Sequence, residues 1–169
     1  MYTMHEHAFA WHWEVIMAID EKLAELSIVL PEAAAPVGSY VPVRVAGGQA
    51  FVSGMLPSVA GHLKQAGRVG DDVSPQEAYE LARLCAINGL AALKKVIGTL
   101  DRVTGIAMVQ GFVQTAPGFV EVPGVINGAS DLFVALFGDA GRHARFAVGV
   151  AALPLNAPVE VAFVAEIIP

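Results

Sequence analysis

The fold class is decided by a stretch close to the carboxyl end, Arg145-Phe-Ala-Val-Gly-Val-Ala-Ala-Leu-Pro-Leu-Asn-Ala-Pro-Val-Glu-Val-Ala-Phe-Val-Ala-Glu166. Larger side chains alternate with smaller ones on both sides of a Pro-Leu-Asn-Ala-Pro segment, and such alternation is typical of β-strands. The pattern predicts one strand over Arg145–Leu153 and another over Val159–Ile167, with the proline-bounded segment as the connection between them.

Two helices and a long strand are predicted before this stretch. The residues Ser-Pro-Gln-Glu at 74–77 combine an N-cap serine, a proline at the first helical position and a glutamate three residues after the cap. They predict a helix that ends near Gly98. A long strand is predicted over Val103–Thr115, and apolar spacing predicts a second helix over Val125–Phe137 that Gly138 ends.

The amino-terminal half contributes shorter elements. A Gly-Gly pair, a hairpin signal, separates two predicted strands at Tyr40–Ala46 and Gln49–Ser53. A weaker third strand is predicted over Leu63–Val69, and Asp20 is placed to cap a short helix that ends at Leu26. From the first strand onward the order is β-β-β-α-β-α-β-β. This order predicts an α+β fold whose antiparallel-rich sheet carries two helices on one face.

The domain organisation is predicted to be simple. The chain has 169 residues, a length that suits one domain with its own core. Residues 1–16 are interpreted as a disordered N-terminal extension, and residues 17–169 as a single domain. The extension contains His5, His7 and His12, but no cysteine or fixed geometry accompanies them, so no metal site is predicted there.

The composition points to subunit contacts. Apolar residues make up 55% of the chain and charged residues 15%, and the mean hydropathy is +0.57. Either the core is dense in alanine and valine, or apolar surface is buried against other subunits, which we favour. The single cysteine, Cys85, lies among apolar residues of a predicted helix and is interpreted as a small buried side chain.

The charge and the residue pattern argue against nucleic-acid and membrane partners. The net charge is −6, whereas a nucleic-acid-binding protein needs a basic surface that displaces phosphate counterions. The uncharged residues 103–120 include Gln110, Gln114 and Pro117, which favour a strand and loop over a membrane-spanning helix. The first sixteen residues lack the basic start and apolar core of an export signal. We therefore expect a cytoplasmic protein without a nucleic-acid or membrane partner.

Arg145 is the strongest candidate for binding a ligand. Strand alternation places it on one face with Ala147 and Gly149, and places Phe146 and Val148 on the other. The bulky pair is expected to fill the core under the helices, while the small residues leave space beside a guanidinium that suits a carboxylate. The alternative is that the small residues admit a helix or another subunit, and that Arg145 pairs with a local acid.

Glu160 is the second candidate, because it interrupts an otherwise apolar strand. A carboxylate in such a setting is costly unless it is paired or exposed. Its face also carries Ala162 and Glu166, so a simply exposed face remains the alternative. Tyr40 at a strand start and Asn127 near a helix start are weaker candidates, since such residues are more often structural.

Taken together, these residues resemble the RidA/YjgF family. The resemblance rests, in chain order, on Val-Gly-Ser-Tyr at 37–40, Val-Ser-Gly-Met-Leu-Pro at 52–57, Asn127, Arg145, and Leu-Pro at 153–154 followed by Val-Glu-Val at 159–161. It covers residues 17–166. The segment from Val125 to Arg145 further resembles a longer, less characterised branch of that family.

The resemblance implies a fold, an assembly and a reaction. It implies a chorismate-mutase-like fold that forms a homotrimer, with ligand clefts between subunits. Such proteins hydrolyse small 2-imino or enamine acids to 2-keto acids and ammonia, without a cofactor or a metal. By position, Arg145 would hold the substrate carboxylate and Glu160 would orient or deprotonate water. Tyr40, Gly54 and Asn127 would line the cleft.

Four residues depart from the family pattern, namely Met55, Phe146, Ala147 and Ala162. The carboxylate-binding arginine is retained, while its surroundings are more apolar. This leaves a second hypothesis open, a non-catalytic trimer that binds a small carboxylate metabolite. A ribonuclease, which names in the family sometimes record, is disfavoured by the acidic charge. A chorismate mutase is suggested by the fold alone, which is weak support.

Overall fold

The computed structural model describes residues 18–33 and 38–168 of the chain. Within them lie three α-helices and seven strands: α1 (Ile19–Glu25), β1 (Val43–Ala46), β2 (Gln49–Met55), β3 (Ser58–Val59), β4 (His62–Leu63), α2 (Pro75–Ile97), β5 (Val103–Gln114), α3 (Val122–Phe137), β6 (Ala144–Val150) and β7 (Val159–Ile167). The predicted disordered extension, its three histidines and Val37 lie outside the described residues.

Five strands form one sheet in the order β1-β2-β7-β5-β6. Every neighbouring pair is antiparallel except β5 and β6, which are parallel and are joined through α3. The two short strands β3 and β4 pair only with each other. The predicted α+β fold with an antiparallel-rich sheet is therefore confirmed, with β6 at one edge and β1 at the other.

The helices α2 and α3 pack together over one face of the sheet. The predicted capping box at the start of α2 is present, since Ser74 Oγ accepts from the Glu77 amide and Glu77 Oε2 accepts from the Ser74 amide. Small residues allow close approach. A Cβ on Gly89 would meet the Phe163 ring, and one on Gly128 would overlap the Tyr79 carbonyl of the neighbouring helix.

Strand alternation divides β7 between two environments. Val159, Val161 and Phe163 are fully buried under the helices, whereas Glu160 on the opposite face is only partly buried. That opposite face also carries Phe51 and Phe146, both of which are exposed. Among the described residues no helix covers this side, and it is called the open face below.

Two predictions for the amino-terminal half, one strand and one helix cap, are wrong. The strand predicted over Leu63–Val69 does not form, because the pairing ends at Leu63 and Gly67 adopts a φ of +129° that no regular strand allows. Asp20 does not cap the first helix, which follows Ala18 instead. The cap comes from a distant residue, since Asp101 Oδ1 accepts the Ile19 amide hydrogen at 2.8 Å.

The expected orientation of β6 is also wrong. Arg145 is the register partner of Val109, which is fully buried, so Arg145 lies on the helix-covered side. Phe146 and Val148 therefore face outward and are exposed. Phe146 instead packs edge-on against Phe112, with ring centroids 5.7 Å apart. Alternation correctly separated the two sets of residues, but side-chain size did not reveal which set faces the helices.

Two further expectations can be compared with the structure. Cys85 is fully buried, and burial raises the pKa of its thiol well above the ordinary value, as expected of an inert apolar residue. None of the helices in the described residues is long and apolar enough to cross a membrane. The uncharged stretch after residue 103 forms β5, as predicted.

Candidate functional site

Arg145 lies on the edge strand β6 and directs its side chain toward α3. Its Nη1 atom donates to Oδ1 of Asn127 at 2.8 Å and to Oγ of Ser130 at 3.0 Å. The two acceptors lie three residues apart, so one turn of the helix presents both to the guanidinium. The structure thus brings together Arg145 and Asn127, two of the residues that the sequence singled out.

The guanidinium has no acidic partner among the described residues. The ion pairs found in that part of the chain join Lys94 to Asp20 and Arg142 to Asp139. A guanidinium carries five N–H groups, and neutral oxygens take the two on Nη1. The edge formed by Nε and Nη2 keeps its parallel N–H groups, the geometry that suits a bidentate carboxylate. Within residues 18–33 and 38–168, Arg145 therefore does not pair with an acid.

Ser130 and His143 extend this cluster, and neither was identified from the sequence. The Ser130 hydroxyl lies 2.9 Å from His143 Nε2, and His143 Nδ1 lies 2.6 Å from the Gly141 carbonyl oxygen. A sequence signal did exist. His143 precedes Arg145 by two residues, just before β6, and Ser130 follows Asn127 by three on a helix. We call Asn127, Ser130, His143 and Arg145 the Arg145 cluster.

The histidine of this cluster is held in its neutral form. Burial lowers the pKa of His143, and the neighbouring Arg145 guanidinium lowers it further. The hydrogen bond to the Gly141 carbonyl acts in the opposite direction, but the net result is a pKa below the ordinary value. Arg145 is therefore the charged member of the cluster at neutral pH.

The small residues that share a face with Arg145 have a packing role. Ala147 packs against the hydrophobic core. A Cβ on Gly149 would come within 3.1 Å of Thr115 Oγ1 and 3.8 Å of Val122, the first residue of α3. This agrees with the alternative that small residues here admit a helix.

Glu160 lies on the open face, next to Gly54. The two strands that carry them are neighbours, and the register of β2 against β7 shifts between Val52 and Met55, where Gly54 lies. A Cβ on Gly54 would overlap the Glu160 carboxylate, so glycine is what allows the carboxylate to lie there. Across the other strand, Glu160 is the register partner of Phe112. We call Gly54, Phe112 and Glu160 the Glu160 cluster.

Burial raises the pKa of Glu160 above its ordinary value. No hydrogen bond to its carboxylate exists among the described residues, so nothing there compensates for the lost hydration of the charged form. A carboxyl group with a raised pKa keeps its proton to a higher pH than an ordinary one, so it can serve as proton donor as well as acceptor, which is the property that general acid–base catalysis requires.

Tyr40 lies just before a segment that is bonded to β2. It is exposed, and in that segment Ser53 Oγ of β2 donates to the Val41 carbonyl and the Ser53 amide donates to the Pro42 carbonyl. The backbone just after Tyr40 therefore lies beside Ser53, the residue that precedes Gly54. Among the described residues, no hydrogen bond joins Tyr40 to Arg145 or to Glu160.

The structure does not bring Arg145 and Glu160 together within one chain. Arg145 is level with Val109 of β5, and Glu160 is level with Phe112, three residues further along. Two strand spacings and three residues place them roughly 10 Å apart across the sheet and about 10 Å along it. They also lie on opposite faces. The candidate residues thus form two separate groups.

The residues that depart from the family pattern also fall on two sides. Ala147 lies on the side of Arg145, whereas Phe146 and Ala162 lie on the open face. Met55, at the end of β2, packs partly against the core.

Two cavities of about 520 and 310 Å³ lie away from both clusters, beside α1 and the segment that follows it. Within residues 18–33 and 38–168 no three metal-binding side chains cluster.

Comparison with known proteins gives relatives that extend over nearly the whole chain. Protein TCP17 of Trypanosoma cruzi is 43% identical over 148 residues, 86% of this chain and 91% of the relative. The crystal structure of Atu1372, a protein of unknown function from Agrobacterium tumefaciens, is 44% identical with a TM-score of 0.82, over 89% and 92% of the two chains. A Shewanella oneidensis structure, named as a putative endoribonuclease, is 34% identical with a TM-score of 0.86, over 89% and 100%.

The family whose sequence pattern matches is described as "YjgF/chorismate mutase-like, putative endoribonuclease", and the match covers residues 20–167. That span includes both the Arg145 cluster and the Glu160 cluster. It agrees with the resemblance drawn from the sequence, and the chain belongs to the YjgF/chorismate mutase-like family.

Proposed function

We propose that this protein hydrolyses small 2-imino or enamine acids to 2-keto acids and ammonia, at clefts formed between copies of the chain. The observation that carries the proposal is the state of Arg145. Its guanidinium is held by Asn127 and Ser130 through neutral oxygens, no acid neutralises it, and its Nε–Nη2 edge is free among the described residues. Such a group selects a ligand with a carboxylate.

Glu160 supplies the second requirement of the reaction. Water adds to the electrophilic carbon of a protonated imine, and its proton passes to the Glu160 carboxylate. The protonated Glu160 then returns its proton to the nitrogen of the resulting carbinolamine. The C–N bond breaks, a C=O bond forms, and the hydroxyl proton leaves with the ammonia as ammonium. A carboxyl group with a raised pKa can serve in both directions. The protonated imine is already electrophilic, so we expect no cofactor.

The separation of the two clusters supports an assembly of several chains. Because Arg145 and Glu160 lie on opposite faces of one sheet, a site that uses both must combine Arg145 of one copy with Glu160 of another. The open face carries exposed Phe51, Phe146 and Val148, and apolar surface of this kind favours subunit contacts. We propose a homotrimer, and light scattering that gives a monomer mass at micromolar concentration would contradict it.

The direct test is an imine-trapping assay. An amino-acid oxidase generates 2-imino acids in the presence of semicarbazide, which forms a strongly absorbing semicarbazone with the imine. We expect the protein to reduce semicarbazone formation in proportion to its concentration, because hydrolysis competes with trapping. Heat-denatured protein is the control. No effect on any imine, from small aliphatic to aromatic, would refute the catalytic proposal.

A non-catalytic binder of small carboxylates is the second candidate. It is favoured by the contrast between an intact guanidinium site and the absence, among the described residues, of any hydrogen bond to Glu160. Calorimetry with pyruvate, combined with the imine-trapping assay, separates the two, since a binder takes up the keto acid but leaves imines unchanged. A ribonuclease role is not proposed, because the chain carries a net charge of −6.

A further inference from the structure

We propose that Ser130 and His143 are positioning residues that hold the guanidinium of Arg145 so that its Nε–Nη2 edge faces the ligand carboxylate. The inference rests on the proposed function and deepens it, because it concerns the same site. The resemblance assigns neither residue a role at the site. Both act through Arg145, since their polar atoms bond inside the Arg145 cluster and to Gly141.

Every hydrogen bond in this part of the cluster has one permitted direction. A guanidinium only donates and a carbonyl only accepts, so Arg145 donates to Ser130 and His143 Nδ1 donates to the Gly141 carbonyl. With its proton on Nδ1, a neutral imidazole accepts at Nε2. The Ser130 hydroxyl therefore donates to His143, and its lone pairs stay directed at Arg145.

We call the hydrogen-bonded chain from Arg145 through Ser130 to His143 the relay. Packing fixes its far end, the His143 ring. The His143 ring stands edge-on to the ring of Phe133, with centroids 5.9 Å apart and an interplanar angle of 88°. Phe133 is fully buried in α3. A Cβ on Gly141 would overlap the Phe133 carbonyl, so the turn before β6 is pressed against the same helix. The imidazole has little freedom to move away from Ser130.

Without the histidine, the Ser130 hydroxyl could rotate and direct its hydrogen toward the guanidinium. That orientation removes one of the two bonds on Nη1 and leaves Asn127 alone to hold the group. A carboxylate gains most from an arginine whose fork is already oriented, because less side-chain entropy is lost on binding. His143 therefore improves binding by fixing the orientation of the Ser130 hydroxyl. That hydroxyl is separated from the ligand by two hydrogen bonds, one on each side of the Arg145 guanidinium.

Nearby charges leave the relay undisturbed. Asp139 and Arg142, in the turn before β6, bond to each other at the surface. Asp131 of α3 accepts a hydrogen bond from the Tyr79 hydroxyl. Among the described residues, the charge that acts on His143 is Arg145 itself.

Three variants and one control test the relay. His143→Phe keeps an aromatic ring against Phe133 but removes the acceptor, and Ser130→Ala removes the bridge. We expect each to raise KM for imines, and Kd for pyruvate, about tenfold while kcat changes less than about threefold. His143→Gln, whose amide oxygen can accept from Ser130, should restore most of the affinity. His62→Gln, on the exposed strand β4, is the matched histidine control.

A double-mutant cycle shows whether the effect acts through the arginine. In an Arg145→Lys background, His143→Phe should add little further loss of pyruvate binding, because the group that it orients is gone. A general loss of structure would instead lower affinity by the same factor in both backgrounds. Unchanged melting temperatures for the His143→Phe and Ser130→Ala proteins serve as the check on folding.

Nitrogen-15 NMR of the histidine rings tests the relay without reference to activity. The His143 signal, identified by its absence from the His143→Gln spectrum, should be that of a neutral ring protonated on Nδ1 at pH 7. A ring protonated on Nε2, or on both nitrogens, overturns the inference. So does a wild type that is active while His143→Phe matches it, a result that leaves the proposed function intact. A wild type that neither binds pyruvate nor hydrolyses imines refutes both.

Discussion

The Arg145 cluster and the Glu160 cluster differ in how the surroundings stabilise the charged side chain. Neutral oxygens of Asn127 and Ser130 meet the guanidinium, and His143 is kept neutral beside it. The Glu160 carboxyl group has no such support among the described residues, and burial raises its pKa. One region stabilises a permanent charge, while the other makes a charge easy to lose.

This difference assigns separate tasks to the two regions. A permanent, oriented cation is suited to hold a ligand carboxylate but cannot exchange protons near neutral pH. A half-buried carboxyl group is a poor anchor for a ligand but a good proton acceptor and donor. The Arg145 cluster should therefore govern affinity, and the Glu160 cluster should govern turnover. The experiments below test that division.

Glu160→Gln should have the largest effect. The amide keeps the size of the side chain and can still bind a water molecule, but it cannot accept the proton. We expect kcat for imine hydrolysis to fall about 10²-fold or more, the usual scale for a lost general base, while pyruvate affinity changes little. The control is Glu166→Gln, since Glu166 lies on the same strand and face but is exposed. Equal turnover in wild type and Glu160→Gln would make Glu160 structural.

Arg145→Lys should show the reverse pattern. A lysine retains the positive charge, but it cannot reach Asn127 and Ser130 while offering two parallel N–H groups to a carboxylate. We expect pyruvate to bind about 10²-fold more weakly by calorimetry. Arg142→Lys is the matched control, because Arg142 is an exposed neighbour paired with Asp139. Unaltered pyruvate binding in Arg145→Lys would rule out the carboxylate role.

The sequence was sufficient for most elements of the fold, because their signals are local. The capping box at Ser74 and the alternation along β7 both depend on residues that are close together in the chain. The cap of α1 could not be predicted in this way, since Asp101 accepts a hydrogen bond from the amide of Ile19, 82 residues away in the chain. The buried Gln114 is similar, because it bonds to the Leu153 amide and the Gly67 carbonyl.

The candidate site was predicted in its members but not in its arrangement. Alternation correctly placed Arg145 and Phe146 on opposite faces, but it cannot tell which face a helix covers. Side-chain size favoured the wrong face, because Phe146 and Phe112 pack against each other on the open side. Ser130 and His143 were missed because a serine and a histidine are common on helices and strands without any role. Only the fold shows that they meet Arg145.

Gly54→Ala should produce an intermediate effect confined to the Glu160 cluster. The added methyl group would overlap the Glu160 carboxylate, which is the flexible end of its side chain and can move aside. We expect kcat to fall by about tenfold because the base is displaced from its position, with pyruvate binding little changed. Gly124→Ala is the control, since a Cβ there meets nothing within 4 Å. Loss of pyruvate binding in Gly54→Ala would instead indicate that the two clusters are not independent.

The smallest effect should be one on stability, and it has a defined pH dependence. The folded state raises the pKa of Glu160, so folding is favoured while the carboxyl group is protonated and loses that advantage as pH rises through the raised pKa. Glutamine does not ionise. Glu160→Gln should therefore melt at the same temperature as wild type below about pH 4, where both side chains are neutral. At pH 8 the variant should melt higher by less than about 5 °C, because the wild type must bury a charge. Thermal melts of the two proteins between pH 4 and pH 8 measure this difference, with Glu166→Gln as the exposed counterpart. A difference that shrinks or changes sign as the pH rises would mean that the ionised carboxylate has a stabilising partner, and the contrast between the two clusters would then fail.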